Sequence, residues 1–234
     1  MGATTPVLVV LQARMGSTRL PGKVLRPLAG HTLLSHCVRR LVAADVGPVV
    51  VATTRRDEDD AVVDEARRLG VAWARGADAD VLQRFALVAD LWNAEVVIRA
   101  TADNPVVDVG APARVLQWMA AGADYVVEDG LPVGAAVEVV RRGALDRAHR
   151  EATRVYDREH VTPYVKARPD EFRIERLAVP AALRRSDLRL TVDTRSDLLF
   201  MERVLEAADG DGALVPLARI IEHATRLTRP LEES

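Results

Sequence analysis

Three stretches of the chain carry side chains suited to phosphate and metal. The first runs Gln12-Ala13-Arg14-Met15-Gly16-Ser17-Thr18-Arg19-Leu20-Pro21-Gly22-Lys23. It offers two glycines, Gly16 and Gly22, two hydroxyls, and three cations, Arg14, Arg19 and Lys23. Backbone N–H groups, hydroxyls and forked guanidinia are what a polyphosphate needs. Neither GxxxxGK[ST] nor GxGxxG is present. The same residue types also suit a basic surface loop with ordinary turn glycines. The second stretch, Arg99 to Pro105, delivers Asp103 at the end of an apolar run, and the third, Thr191 to Asp197, delivers Asp193. Hard carboxylate oxygens opposite a phosphate loop suit Mg²⁺, which takes one or two carboxylates together with phosphate oxygens. If Asp103 and Asp193 converge, they form a two-carboxylate site that clamps a triphosphate. Taken singly, Asp103 reads as a turn residue, Asp193 also suits a helix cap, and Asp197 reads as a cap.

These stretches need elements to hold them. Val7 to Leu11, Pro48 to Thr53, Glu95 to Ala100 and Asp124 to Val127 are apolar, β-branched runs that predict strands buried on both faces. Between them, stripes of period 3.6 predict helices over Leu33 to Val42, Asp59 to Leu69, Val81 to Leu91 and Ala111 to Ala121. This alternation predicts an α/β fold with a mainly parallel sheet. A loop after the first strand then opens at the carboxyl edge, where ligands bind in such folds. The second half is less regular. Val137 to Val140 reads as a strand and Ala144 to Glu151 as a helix. Phe172 to Leu177 alternates like a half-exposed antiparallel strand, and Leu188 to Val192 alternates too. Ser196 or Asp197 caps a helix running through Ala207. Val215 to Leu227 is a closing helix, and Gly210-Asp211-Gly212 a surface turn.

Composition removes several classes. At 49% hydrophobic and 28% charged, the 234-residue chain is an ordinary globular one, not a disordered one. With 32 Lys+Arg against 34 Asp+Glu, it lacks the positive excess of a general nucleic-acid coat, local basic patches aside, and no nucleic-acid partner is expected. Cys37 is the single cysteine, so no internal disulfide forms and no CxxC zinc site exists. No run approaches the roughly 20 apolar residues that span a bilayer, and the start of the chain has no basic n-region. A cytoplasmic protein without membrane partners is expected.

The segment ARMGSTRLPGK resembles the signature of the cytidylyltransferases that make CMP-activated sugars, among them the CMP-ketodeoxyoctonate and CMP-sialate synthetases. It also resembles the bacterial cytidylyltransferase-like proteins of spore-coat polysaccharide biosynthesis. The resemblance extends in order through Ala52-Thr53-Thr54, Val81-Leu82, Arg99 to Pro105, Arg158 to Tyr164 and Leu190 to Asp197. It implies a Rossmann-like nucleotidyltransferase fold, helices on both faces of a mainly parallel sheet with a small antiparallel extension. It implies transfer of CMP from CTP to an acceptor oxygen with release of pyrophosphate. Arg14, Gly16, Ser17, Arg19 and Lys23 then contact the triphosphate, and Asp103 and Asp193 bind Mg²⁺. The base rests against Leu11-Gln12-Ala13 and the segment near Thr53 and from Arg75 to Asp80. In the CMP-ketodeoxyoctonate synthetases a His-containing, serine-rich segment stands where this chain has Arg75 to Asp80.

The implied acceptor is an anionic small molecule, with Gly134, Glu138, Arg158 and His160 as its candidate contacts. His160 reads equally as an anion contact or proton shuttle and as a structural histidine. The resemblance also implies one nucleotidyltransferase domain over residues 1–234. Segment 130–190 would carry acceptor-site and dimerisation elements, with Phe172 to Leu177 as a homodimer strand. Two other readings stand beside this one: a nucleotidyltransferase of other base preference or a sugar-nucleotide-dependent glycosyltransferase, and a non-catalytic nucleotide-binding protein. His149 and His223 lack metal-ligand spacing, His31 and His36 flank the first helix with His36 packing or capping, the run Arg55 to Asp60 reads as a solvated loop and helix start, and Cys37 reads as a core thiol.

Overall fold

The apolar runs become the centre of a seven-stranded sheet in the computed structural model, which describes residues 6–208 and 214–228. β1 (Val7–Gln12) pairs in parallel with β4 (Val49–Thr54) on one side and β6 (Val96–Thr101) on the other. β5 (Ala72–Gly76) extends the β4 side. β8 (Glu138–Arg141) lies antiparallel between β6 and β7 (Tyr125–Asp129), and β9 (Ile174–Ala178) closes that edge. A separate two-residue hairpin joins β2 (Pro27–Leu28) and β3 (His31–Thr32). All six residues of β4 are buried, as a strand covered on both faces requires.

Helices cover both faces. α1 (Leu33–Ala43), α2 (Asp60–Arg68) and α4 (Ala111–Ala120) contribute to a core with Val9, Leu11, Val51 and Ile98. α3 (Val81–Leu91) and α5 (Arg142–Glu151) pack on the other face with Leu8, Val10, Ala52 and Val97. The two short helices α6 (Val155–His160) and α7 (Pro163–Lys166) lie beside α3 and α5. α8 (Arg195–Ala207) and α9 (Leu217–Thr228) build a third core with Leu188, Leu190 and Val192. Cys37 is buried in the first core. Among the described residues no helix is long and apolar enough to cross a membrane. The turn at Gly210-Asp211-Gly212 falls outside the described residues.

Two expectations are corrected. The segment read as an antiparallel strand over Phe172 to Leu177 forms β9, which runs parallel to β7, from Tyr125 opposite Ile174 to Asp129 opposite Ala178. Alternation reports a half-exposed strand and carries no direction, while the long connection through α5 to α7 returns the chain parallel. Leu188 to Val192 forms no strand. Its alternate amides are taken by two loops instead, Leu190 N by the Val133 carbonyl at 2.7 Å and Val192 N by the Asp103 carbonyl at 2.8 Å. Those bonds tie the segment before α8 to the loop at Val133 and to the residues just past β6.

Candidate active site at the carboxyl edge of the sheet

β1 delivers the cation-rich loop, β6 delivers Asp103, and the extended segment before α8 delivers Asp193. The three meet at Lys23. Its Nζ donates to Asp103 Oδ2 at 3.1 Å, to Asp193 Oδ1 at 2.9 Å and to the Val192 carbonyl at 2.9 Å. Each carboxylate has further donors. Thr101 Oγ1 donates to Asp103 Oδ1 at 2.6 Å, Arg19 lies 2.8 Å from Asp193 Oδ1, and Arg189 donates to Asp193 Oδ2. Burial pushes the Asp193 carboxyl up, but Lys23, Arg189 and Arg19 outweigh it and hold the group below its ordinary value. Asp193 is not a helix cap; Thr194 caps α8 and Asp197 closes a capping box, accepting from the amides of Asp193 and Thr194. The expected cap at Ser196 is therefore corrected.

The loop is fixed from beneath. Met15 N donates to Asp59 Oδ1 at 2.7 Å, while Asp59 Oδ2 accepts from Thr54 N and the Thr54 hydroxyl. Asp59 is fully buried, so the run Arg55 to Asp60 is not wholly a solvated one. An apolar helix stripe starting at Val62 three residues on is the sequence signal that turns Asp59 inward.

A cleft of about 490 Å³ opens over this edge. Gln12, Ala13, Arg14, Gly16, Ser17, Arg19 and Lys23 line it from the first loop, with Asp103 and Asp193 on the facing wall and His160 at the rim. Arg14 reaches Asp78 at 3.3 Å and is otherwise half-exposed. Leu11 lies in the core, and Thr53 is fully buried with an unpartnered hydroxyl. Arg75 turns to Asp60 and to the carbonyls of Thr54 and Arg56. Asp80 caps α3 through Gln83 N at 2.9 Å. These last four do not line the cleft.

Three of the four expected acceptor contacts are engaged elsewhere. Glu138 is an internal counter-ion, bonded to Arg99 at 2.5 Å, Lys166 at 2.9 Å, the Tyr125 hydroxyl at 2.5 Å and the Thr162 hydroxyl at 2.9 Å. Burial pushes its carboxyl up, yet Arg99 and Lys166 prevail and bring it down to about 2. Arg158 pairs with Asp80 at 2.6 Å and donates to the His149 and Ala152 carbonyls. Gly134 has φ 97°, and a Cβ there would stand 2.7 Å from Thr191 N. It is the glycine that lets two backbones touch, not a pocket wall. His160 alone of the four reaches the cleft, beside Tyr156 at 4.5 Å between ring centres.

Sequence reasoning passed over Arg84, a buried arginine of α3 that lines the cleft. The signal was available: position 84 falls on the same helical stripe as Val81, Phe85 and Val88.

Two carboxylates, a shared ammonium and flanking guanidinia make a site for a polyanion and a hard cation. A family model described as cytidylyltransferase matches residues 8–222. The chain belongs to the cytidylyltransferase family. It is a nucleotidyltransferase by that membership, on a Rossmann-like fold. The spore coat polysaccharide biosynthesis protein SpsF of Bacillus subtilis is 37% identical over 209 residues, 86% of this chain and 87% of that protein. The solved structure of a cytidylyltransferase from Leptospira borgpetersenii superposes with a TM-score of 0.89 at 25% identity, covering 98% of this chain and all of that one. A CMP:2-keto-3-deoxy-manno-octonic acid synthetase complexed with CTP shares the fold, with a TM-score of 0.65 at 17% identity over 87% of this chain and 99% of that one.

Proposed function

We propose that this cytidylyltransferase transfers CMP from CTP to an oxygen of an acidic sugar or related anionic small molecule. The acceptor oxygen bonds to the α-phosphorus, the bond from that phosphorus to the bridging oxygen of the β-phosphate breaks, and pyrophosphate leaves with the electron pair. One observation carries the reading: a single ammonium, Lys23 Nζ, is held between Asp103 and Asp193 at the mouth of a cation-rich loop. That ammonium occupies the place between two carboxylates that a divalent cation would take, and so fits a site that exchanges its counter-ion when the nucleotide arrives.

Asp103 and Asp193 would hold Mg²⁺ through their oxygens, and the donor set suits that ion. When bound, Mg²⁺ supplies charge stabilisation to phosphate oxygens. Lys23, released toward the tail, joins Arg14, Arg19 and the Ser17 hydroxyl in neutralising the charge that builds as pyrophosphate departs. The backbone of Gln12 and Ala13, which line the cleft, supports the base. His160 and Glu159, on the rim, face the acceptor side. The SpsF likeness supports an acceptor in polysaccharide synthesis. The unpaired edge of β9 supports a homodimer, and sedimentation showing only monomer would overturn that part.

The test is pyrophosphate release from CTP over a panel of acidic metabolites, with CTP, UTP, GTP and ATP compared by thermal shift in Mg²⁺. A larger shift with UTP than with CTP overturns the base assignment. Asp103→Asn and Asp193→Asn are each expected to abolish metal-dependent turnover, and a fully active double variant overturns the two-carboxylate site.

A further inference from the structure

Arg84 stands out from the chain's other arginines. Its residue is 2% exposed, its Nε has no hydrogen-bond partner, and no carboxylate of the described residues pairs with it. Leaving a guanidinium buried and unpaired costs several kcal/mol in a closed core, so such a group is retained where something else completes it. The side chain is held in place. Gly76 at the end of β5 lies directly on its stem, where an added Cβ would come within 2.9 Å of Arg84 Cγ. That close approach fixes the stem and leaves the guanidinium at the cleft, whose lining includes Arg84 itself.

The surroundings indicate what completes it. Leu8, Val10, Ala52, Ala74 and Val97 share a face of the sheet with α3. Alternation continues that face through Gln12, Gly76, Arg99 and Thr101 at the carboxyl edge. Gln12 Oε1 and Arg99 Nε are likewise buried without partners, and both residues line the cleft. Arg14 lies close enough that, after burial, its charge is the strongest influence lowering the Arg84 guanidinium, to about 10, while Asp59, Asp78 and Asp80 act the other way without bonding to it. Two arginines brought together, one of them without an acidic partner, converge on an anion that belongs to a ligand.

We infer that Arg84 is a nucleotide-binding residue, its guanidinium taking an anionic phosphate oxygen of the nucleotide from the floor of the cleft opposite Arg14. The inference rests on the nucleotide reading above and adds to it a contact from α3, outside the three loop segments. The acceptor's acid group is the rival source of that anion, and binding measured without acceptor separates them.

The experiment is calorimetric titration of the full chain with Mg²⁺ and CTP, and with cytidine, using wild type, Arg84→Met and Arg84→Lys, with Lys23→Ala as a control. Arg84→Met is expected to weaken CTP about 10- to 100-fold, the worth of hydrogen bonds to a charged group, and to change cytidine binding less than twofold. Its ligand-free melting temperature is expected to equal or exceed that of wild type, because a buried charge with no direct ion-pair partner has been removed; a merely structural arginine would give a drop. Arg84→Lys is expected to fall between. CTP affinity within twofold of wild type in both variants overturns the inference, and so does equal weakening of CTP and cytidine, which reports a distorted cleft. If wild type binds no nucleotide, the nucleotide reading itself fails and the inference with it. If wild type binds and Lys23→Ala weakens it while both Arg84 variants match wild type, only the inference fails.

Discussion

Lys23 and Asp103, eighty residues apart in the chain, meet at 3.1 Å, and the same ammonium bonds Asp193 at 2.9 Å. The contact joins the first loop, the end of β6 and the approach to α8 in one charged knot. Lys23 is mostly enclosed there. Removing it as Lys23→Ala leaves two carboxylates facing each other without their shared cation. The expected outcome is pyrophosphate release reduced about 100- to 1,000-fold, the scale of losing one positioned donor to developing charge. The variant's melting temperature is expected to respond more strongly to added Mg²⁺ than that of wild type, since the ion then replaces a missing charge. A rate within threefold of wild type would remove Lys23 from the chemistry.

The site was legible in sequence to the extent that local pattern encodes it. Buried runs alternating with helical stripes placed the carboxyl edge, and from that edge Arg14, Gly16, Ser17, Arg19, Lys23 and Asp103 line the cleft. Asp193 arrived there by a route that alternation misdescribed. Leu188 to Val192 is held by Val133 and Asp103 carbonyls, contacts between segments about 55 to 90 residues apart that no local period reports. The surroundings of the candidate acceptor residues were hidden for a related reason. Residue type marks Glu138 and Arg158 as reactive, but only the packing shows that Arg99, Lys166 and Asp80 have already engaged them.

Gly134 is where that long-range tie is most exposed to change. Its φ of 97° disfavours any side chain, and a Cβ would meet Thr191 N at 2.7 Å. Gly134→Ala is expected to cost about 1–3 kcal/mol from backbone strain and to displace the segment leading to Asp193. The metal concentration for half-maximal turnover is expected to rise along with the loss of stability. Unchanged metal dependence in a destabilised variant would show that Asp193 does not depend on this contact.

Asp59 gives a loop-specific prediction. It accepts from Met15 N and Thr54 N at once. Asp59→Ala leaves these donors without their acceptor, at a cost of about 1–3 kcal/mol for a buried unsatisfied group. The first loop is then released from β4. The expected signature is a rise in KM for CTP larger than the fall in kcat, measured by pyrophosphate release well below the variant's melting temperature. An unchanged KM would mean that the loop holds its shape without Asp59.

Glu138 sets an acid limit on the fold. Its carboxyl ordinarily titrates near 4.5 and is brought down to about 2 by Arg99 and Lys166 against the opposing effect of burial. The folded state therefore favours the ionised form. That stabilisation is fully present above about pH 5, shrinks as the unfolded chain takes up its proton near 4.5, and is gone once the folded carboxyl protonates near 2. The shift corresponds to about 3 kcal/mol at neutral pH. Glu138→Gln removes the charge while keeping the shape, so Arg99 and Lys166 lose their counter-ion. Urea unfolding is expected to show the variant less stable than wild type by about that amount at pH 7, with the gap closing steadily between pH 5 and pH 2. A gap that stays constant across this range would mean that Glu138 contributes by packing and hydrogen bonding alone, and that Arg99 is held at the cleft by something other than its ion pair.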